Sequence, residues 1–312
     1  MTPFAFVVPG QGSQSVGMLD AWGDNAAVRQ TLAEASDALG ENVLRLIREG
    51  PKEQLDLTTN TQPVMLTAGI ACWRAWVADT GLAPSVLAGH SLGEYTALVA
   101  AGSLTLTDAL PLVRFRAQAM QDVVPVGAGA MAAILGLDAQ AVRDGCAEVA
   151  AASGEAVAAA NYNDPKQTVI AGTKAGVDQA CELLKAKGAK RALLLAVSAP
   201  FHSSLMKPAA DRLVARLAET PIVPPATPVI NNIDVAVQTE PAAIRDALYR
   251  QAFGPVRWVE TIQTMRARGA THIIECGPGK VLAGMVKRID GEAQSGAVFD
   301  PASMAAVRGM FA

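Results

Sequence analysis

The chain has 312 residues, 51% of them hydrophobic and only 18% charged, with a formal net charge of -3 at pH 7. That length can bury a sizeable core, and the composition excludes a disordered chain. The near-neutral balance gives no electrostatic reason to expect nucleic acid or an anionic membrane as partner.

Met1-Thr2-Pro3-Phe4 lacks the basic start and long apolar run of a secretory signal, and no stretch approaches a bilayer-spanning length. Residues 4–8 are a short unbroken apolar run ended by Pro9-Gly10, the pattern of a buried parallel strand. Helical periodicity follows over residues 16–50 and 62–78. A strand over residues 86–88 runs into Gly89-His90-Ser91-Leu92-Gly93, and a helix to residue 101 follows at once. The next helix is expected over residues 107–124, with Thr107 as N-cap and Pro125 and Gly127 as its stop.

The middle reads as strand 130–137, helix 138–152, strands 156–162 and 168–172, helix 177–187 and strand 191–197. Asn163-Asp164-Pro165-Lys166 is the turn between the paired strands. The order β-α-β-β-α-β is that of a ferredoxin-like unit. Afterwards come helix 204–219, a strand near 229–231, helices 241–253 and 259–269, and strand 272–276. That strand ends in Gly277-Pro278-Gly279, and a helix starts near Lys280. Strands alternating with helices predict an α/β fold with a mostly parallel sheet. Residues 1–126 and 199–312 form its large domain, and residues 127–198 are the inserted small subdomain. The four cysteines (Cys72, Cys146, Cys181, Cys276) show no metal-like spacing and read as free thiols in a reducing compartment, so a cytoplasmic protein is expected.

Gly-x-Ser-x-Gly between a strand and a helix is a nucleophile elbow, which lifts Ser91 Oγ to the tip of a strained turn. A serine hydroxyl is a weak nucleophile and needs a base within hydrogen-bond reach. Of three histidines, His90 adjoins the serine and should point away, and His272 sits in an apolar strand. His202, in a loop between strand and helix, is the base by elimination, against the alternative of a capping or surface histidine. No acid stands out as a third member: Asp108, Asp122, Asp138, Asp144, Asp164 and Asp178 each read as a cap, turn or exposed helix residue. A backbone carbonyl or amide could then orient the imidazole. The Leu92 amide is the usual first oxyanion donor, and the loop Pro9-Gly10-Gln11-Gly12-Ser13-Gln14 offers the second or is simply a tight turn. Arg114 and Arg116 lie in an apolar helical stretch, where an arginine either pairs structurally or grips a substrate carboxylate.

Together these residues resemble the malonyl-CoA:acyl carrier protein transacylase family of bacterial fatty-acid synthesis, over nearly the whole chain. The likeness rests on Gly10-Gln11-Gly12-Ser13-Gln14, Thr61-Gln62-Pro63, Gly89-His90-Ser91-Leu92-Gly93-Glu94 and Arg116 with Met120. Asn161-Tyr162-Asn163 before Val169-Ile170-Ala171-Gly172, Pro200-Phe201-His202, Gln251 before Pro255-Val256-Arg257-Trp258, and Gly277-Pro278-Gly279-Lys280 complete it. The resemblance implies a hydrolase-like α/β core carrying a ferredoxin-like insertion. It implies that Ser91 is acylated with His202 as base, and that the Gln11 and Leu92 amides form the oxyanion hole. Arg116 would hold the malonyl carboxylate, and the Gln251 main-chain carbonyl would orient His202. Gln62, Asn161 and Met120 would border the substrate. In related polyketide acyltransferases a Phe at the position of Phe201 accompanies malonyl over methylmalonyl; a ring anchoring its loop to the core is the equal alternative.

The expected reaction is ping-pong malonyl transfer from malonyl-CoA to the phosphopantetheine thiol of acyl carrier protein, with no metal or bound cofactor. A monomer is expected, with no nucleic acid or membrane partner. Lys187, Lys190, Arg191, Lys280, Lys287 and Arg288 are candidates for a basic patch facing the acidic carrier. A serine hydrolase, a transferase serving another carrier, and an acyl-binding scaffold are the rivals.

Overall fold

The computed structural model describes residues 3–125, 127–197 and 199–311. The strands described are β1 (Phe4–Val8), β2 (Val86–Gly89), β3 (Gly129–Leu135), β4 (Val157–Asp164), β5 (Gln167–Thr173), β6 (Arg191–Leu194), β7 (Val229–Ile230), β8 (His272–Cys276) and β9 (Gln294–Val298). They form two sheets. The larger is parallel throughout, in the order β7-β2-β1-β8-β9. The smaller is antiparallel, in the order β4-β5-β3-β6.

β1 is central and buried on both faces, as its unbroken apolar run requires. Alternation along the strand divides its side chains between two cores. Phe4, Phe6 and Val8 join Met65, Leu66, Ile70 and Trp76 of the helix Thr58–Thr80. Ala5 and Val7 join Trp258, Ile262 and Met285 on the opposite face. The small sheet alternates in the same way. Ala132 and Ile134 of β3 lie under the helices Ala139–Ser153 and Lys174–Ala186, whereas Met131 and Ala133 face Phe201. Two backbone hydrogen bonds, Val256 N to Ala160 O (2.8 Å) and Tyr162 N to Val256 O (2.9 Å), fasten this sheet to the larger unit.

Several boundaries differ from the sequence pattern. Residues 16–50 do not form continuous helix: a 3-10 turn (Asp20–Trp22) and the helices Ala26–Leu39 and Val43–Glu49 are separated at Gly23 and Gly40. Asn25 and Asn42 cap these helices by accepting from Val28 N and Arg45 N. The helix expected from Thr107 spans Leu106–Asp122, and Thr105 is its cap, accepting from Asp108 N. β6 stops at Leu194, and Ser198 and Val126, at the expected subdomain junctions, lie outside the described residues. β9 and the helix Pro301–Gly309 went unread. Gln-Ser-Gly-Ala-Val has no apolar run because it is an edge strand, but Asp300-Pro301 with Ser303 is a readable capping box. All four cysteines are buried and unpaired. Among the described residues no helix is long and apolar enough to cross a membrane.

At the end of β8, Glu275 is fully buried and its Oε2 accepts from Ala283 N (2.9 Å) in the first turn of the helix Val281–Ile289. Its Oε1 has no partner, and burial pushes the carboxyl up to about 7. A folded pKa above the ordinary value of 4.5 means that folding disfavours the carboxylate. The cost is absent below about 4.5 and complete above about 7. Glu275→Gln is therefore expected to stabilise the fold by about 1–3 kcal/mol at pH 8 and much less at pH 5. Denaturant midpoints at the two pH values would show this; an equal change at both would remove the titration from the account.

Candidate active site

β2 ends at the C-terminal edge of the parallel sheet, where α/β folds place their ligands. A Cβ on Gly89 would lie 1.8 Å from the carbonyl of Gly93, so only glycine permits the bend. Ser91 sits at its tip with φ 52°, in the left-handed region that a non-glycine residue occupies only when its surroundings enforce it. The helix Gly93–Ala100 begins immediately behind it.

Ser91 Oγ lies 2.7 Å from His202 Nε2. His202 Nδ1 faces two carbonyl oxygens, Gln251 O at 2.9 Å and Gly254 O at 3.1 Å. Because both can only accept, Nδ1 carries the ring proton and Nε2 is left to accept from the serine. Burial, and next the positive charge of Arg116, push His202 down to about 3, so the ring is neutral and its Nε2 lone pair is free to accept from Ser91. The six aspartates are all engaged elsewhere. Asp138 caps a helix, Asp108 bonds Thr105, Asp144 bonds Gln140, and Asp122, Asp164 and Asp178 pair with Arg212, Arg288 and Lys174. Main-chain carbonyls occupy the position of a triad acid.

The loop after β1 packs against the elbow: a Cβ on Gly10 would meet His90 O at 2.5 Å. Gln11 and Leu92 both line the cavity in front of Ser91, and Gln11 Nε2 reaches Thr58 Oγ1 (3.2 Å). This cavity, about 220 Å³, is bordered by Met131, Asn161 and Val169 of the small sheet and by Phe201 of the loop that follows it. Phe201 also packs beside Met131 and Ala133, so it is at once cavity wall and loop anchor. A larger open groove of about 900 Å³ between the helices Ala26–Leu39 and Val43–Glu49 lies away from Ser91 and contains neither histidine nor cysteine.

The two arginines separate cleanly. Arg114 makes a two-pronged pair with Glu41 (2.7 and 2.8 Å), a structural role. Arg116 is 2% exposed, lines the cavity, and donates to Gln62 Oε1 at 2.8 Å and Gln251 Oε1 at 3.1 Å, with the Glu94 carboxyl near enough to act on it electrostatically. Its Nε has no partner, its guanidinium lies 5.4 Å from the Tyr95 ring centroid, and no ion pair is described for it. Met120, one turn further along the same helix, does not line the cavity. It packs with Ala119, Val124, Ala199 and Met206, so the expectation that it borders substrate is corrected to a core position.

His90 points away from the pair, as expected. Its Nε2 meets Asn163 Oδ1 at 2.9 Å and its ring lies against Trp258, tying the elbow to β4. His272 stacks on Phe311 at a strand end. Of the six basic candidates, Lys187 pairs with Glu148 and Arg288 with Asp164, and no ion pair is described for the other four. Two site residues received no role from the sequence: Glu94, read only as the end of the elbow motif, and Asn232. Glu94 and Asn232 are both buried, and Asn232 N donates to Glu94 Oε2 (2.8 Å). Burial raises Glu94 to about 7 against hydrogen bonds from Asn232 and Gln251. The readable signal was the polar pair Asn231-Asn232 at the C-terminal end of a parallel strand.

Residues 5–303 match the family model described as the acyl transferase domain. The malonyl CoA-acyl carrier protein transacylase of Salmonella typhimurium is 50% identical over 307 residues, covering 98% of this chain and 99% of the relative. The crystal structure of an acyl-carrier-protein S-malonyltransferase from Burkholderia pseudomallei superposes with a TM-score of 0.96 at 64% identity, covering 98% of this chain and 99% of that one. A malonyl-transacylase solved in complex with its type II PKS acyl-carrier protein has a TM-score of 0.95 at 48% identity, with 97% and 98% covered.

Proposed function

The chain belongs to the malonyl-CoA:acyl carrier protein transacylases of the acyl transferase family, and from that premise we propose a ping-pong transfer through a malonyl ester on Ser91. Ser91 Oγ attacks the thioester carbonyl of malonyl-CoA while His202 Nε2 takes its proton. The oxyanion develops between the Leu92 and Gln11 amides, the C–S bond breaks, and the CoA sulfur leaves with the proton that His202 returns. In the second half the phosphopantetheine thiol of the carrier gives its proton to His202 and attacks the ester carbonyl. The ester C–O bond breaks and Ser91 Oγ regains the proton. In each step this chain supplies the nucleophile, the base and the oxyanion donors.

The observation that carries this reading is Arg116, a buried cation hydrogen-bonded to the amide oxygens of Gln62 and Gln251, with no ion pair described for it, beside a serine–histidine pair. A buried charge without an opposite partner is unfavourable, and a carboxylate on the acyl group supplies one. Gln62 and Gln251 hold the guanidinium from behind, and Asn161 and Phe201 border the acyl chain. The solved relative in complex with its carrier supports acyl carrier protein as acceptor. Lys190, Arg191, Lys280 and Lys287 are the basic side chains proposed to meet it. The antiparallel unit, with its order β4-β5-β3-β6 and two helices on one face, is proposed to be a ferredoxin-like subdomain on a hydrolase-like core.

Intact-mass measurement tests the scheme. Malonyl-CoA should add one malonyl group per chain, and holo acyl carrier protein should remove it and appear malonylated. Free malonate in place of malonyl-carrier would identify a hydrolase and overturn the transfer step.

A further inference from the structure

The left-handed backbone of Ser91 is sustained by side chains remote in sequence. Asn232 Oδ1 accepts from Ser91 N (2.7 Å), and Asn232 Nδ2 donates to Gly89 O (2.7 Å). One side chain thus bridges the elbow across the bend. On the other side of the serine, Gln251 Nε2 donates to Ser91 O (2.8 Å). Both amides converge on one carboxyl: Glu94 Oε2 accepts from Asn232 N at 2.8 Å and from Gln251 Nε2 at 3.1 Å. Asn232 is 0% exposed and its own carbonyl accepts from Arg257 N (3.2 Å), so its position is set from both ends.

The two peptide planes flanking Ser91 are therefore each clamped. In a trans peptide the carbonyl and the following N–H point in opposite directions. Holding Ser91 O against Gln251 consequently fixes the direction of the Leu92 N–H. Asn232 occupies the Ser91 N–H, so that amide is withheld from substrate and the elbow presents the Leu92 amide instead.

We propose that Asn232, anchored by Glu94, is a positioning residue for the nucleophile: it holds Ser91 Oγ in line with His202 and the Leu92 amide in its oxyanion-binding direction without touching substrate. The proposal rests on the reading of Ser91 as the acylated nucleophile. Loss of the clamp should slow acylation and leave substrate affinity alone, because small misplacements at a reacting centre reduce rate steeply.

Single-turnover acylation by malonyl-CoA, followed by intact mass and normalised to folded protein, tests it on the full chain. Asn232→Ala should lower the acylation rate constant by at least about 10-fold with KM for malonyl-CoA unchanged within about two-fold. Glu94→Gln, which keeps an acceptor oxygen, should retain most of the rate that Glu94→Ala loses. Val229→Ala, a core truncation in β7, provides a variant of lowered thermal midpoint with an intact clamp and should acylate at the parent rate. An unchanged rate in Asn232→Ala, a loss residing in KM, or a loss matched by Val229→Ala at equal thermal midpoint would overturn the proposal. Failure of the parent chain to form any adduct would instead overturn the Ser91 reading.

Discussion

Ser91→Ala is expected to fold normally, form no malonyl adduct, and transfer malonyl groups at least about 10⁴-fold more slowly than the parent. Folding should survive because the contacts that hold the elbow run through the backbone of residue 91: its N–H to Asn232 and its carbonyl to Gln251. Only the Oγ bond to His202 Nε2 is lost. His202→Ala should cost about 10²–10⁴-fold, the usual worth of a positioned general base. The two residues work as one unit, so the double variant should be little slower than Ser91→Ala alone. Intact mass and transfer kinetics on the three proteins check this. An adduct surviving in Ser91→Ala would move the nucleophile elsewhere.

The same pair sets the pH response. With His202 pushed down to about 3, acidification should leave the acylation rate intact through the range where an ordinary histidine, near 6.5, would protonate. The profile is best measured in Glu94→Gln, which removes the neighbouring carboxyl that titrates at about 7. An acid limb centred near 6.5 in that background would show His202 to be solvated in the working enzyme.

How much of this was legible in the sequence follows from which residues act through local pattern. Ser91 was readable because the elbow is written in five consecutive residues whose glycines have no steric substitute. β1 was readable because a strand buried on both faces is an unbroken apolar run, and β8 because Ile273-Ile274 lead into the Gly277-Pro278-Gly279 stop. β9 was not, since an edge strand of small and polar residues carries no such run. His202 emerged by elimination among three histidines, but its carbonyl partners leave no trace in residue type, because any residue has a carbonyl. Arg114 and Arg116, two positions apart, were indistinguishable by local pattern, and only the family resemblance singled out Arg116. What separates them is Glu41, distant in sequence and present for one guanidinium only. Met120 came with Arg116 from the family resemblance, yet one further turn along the helix sets its side chain in the apolar cluster with Ala119, Val124 and Met206. Asn232 stayed silent because its role depends on β7 lying beside β2, a pairing that short-range pattern does not encode.

Arg116→Ala should erase the preference for malonyl over acetyl groups. Removing one partner of a buried charge pair costs about 2–5 kcal/mol, which corresponds to roughly 30-fold to several-thousand-fold in kcat/KM for malonyl-CoA. Acetyl-CoA brings no carboxylate, so its kcat/KM should hold or rise. A rise has a physical source: Arg116 is among the charges that depress His202, and its removal makes the base stronger. Arg116→Lys should recover only part of the malonyl activity. A single ammonium cannot both occupy the two amide oxygens of Gln62 and Gln251 and present a planar fork to the substrate. Paired kcat/KM measurements with malonyl-CoA and acetyl-CoA on parent, Lys and Ala variants decide the matter. If both substrates lose equally, Arg116 holds the site together without reading the acyl group. If the malonyl loss stands alone, the Arg116 guanidinium is the selectivity element, and the carboxylate it pairs with is the one the substrate brings.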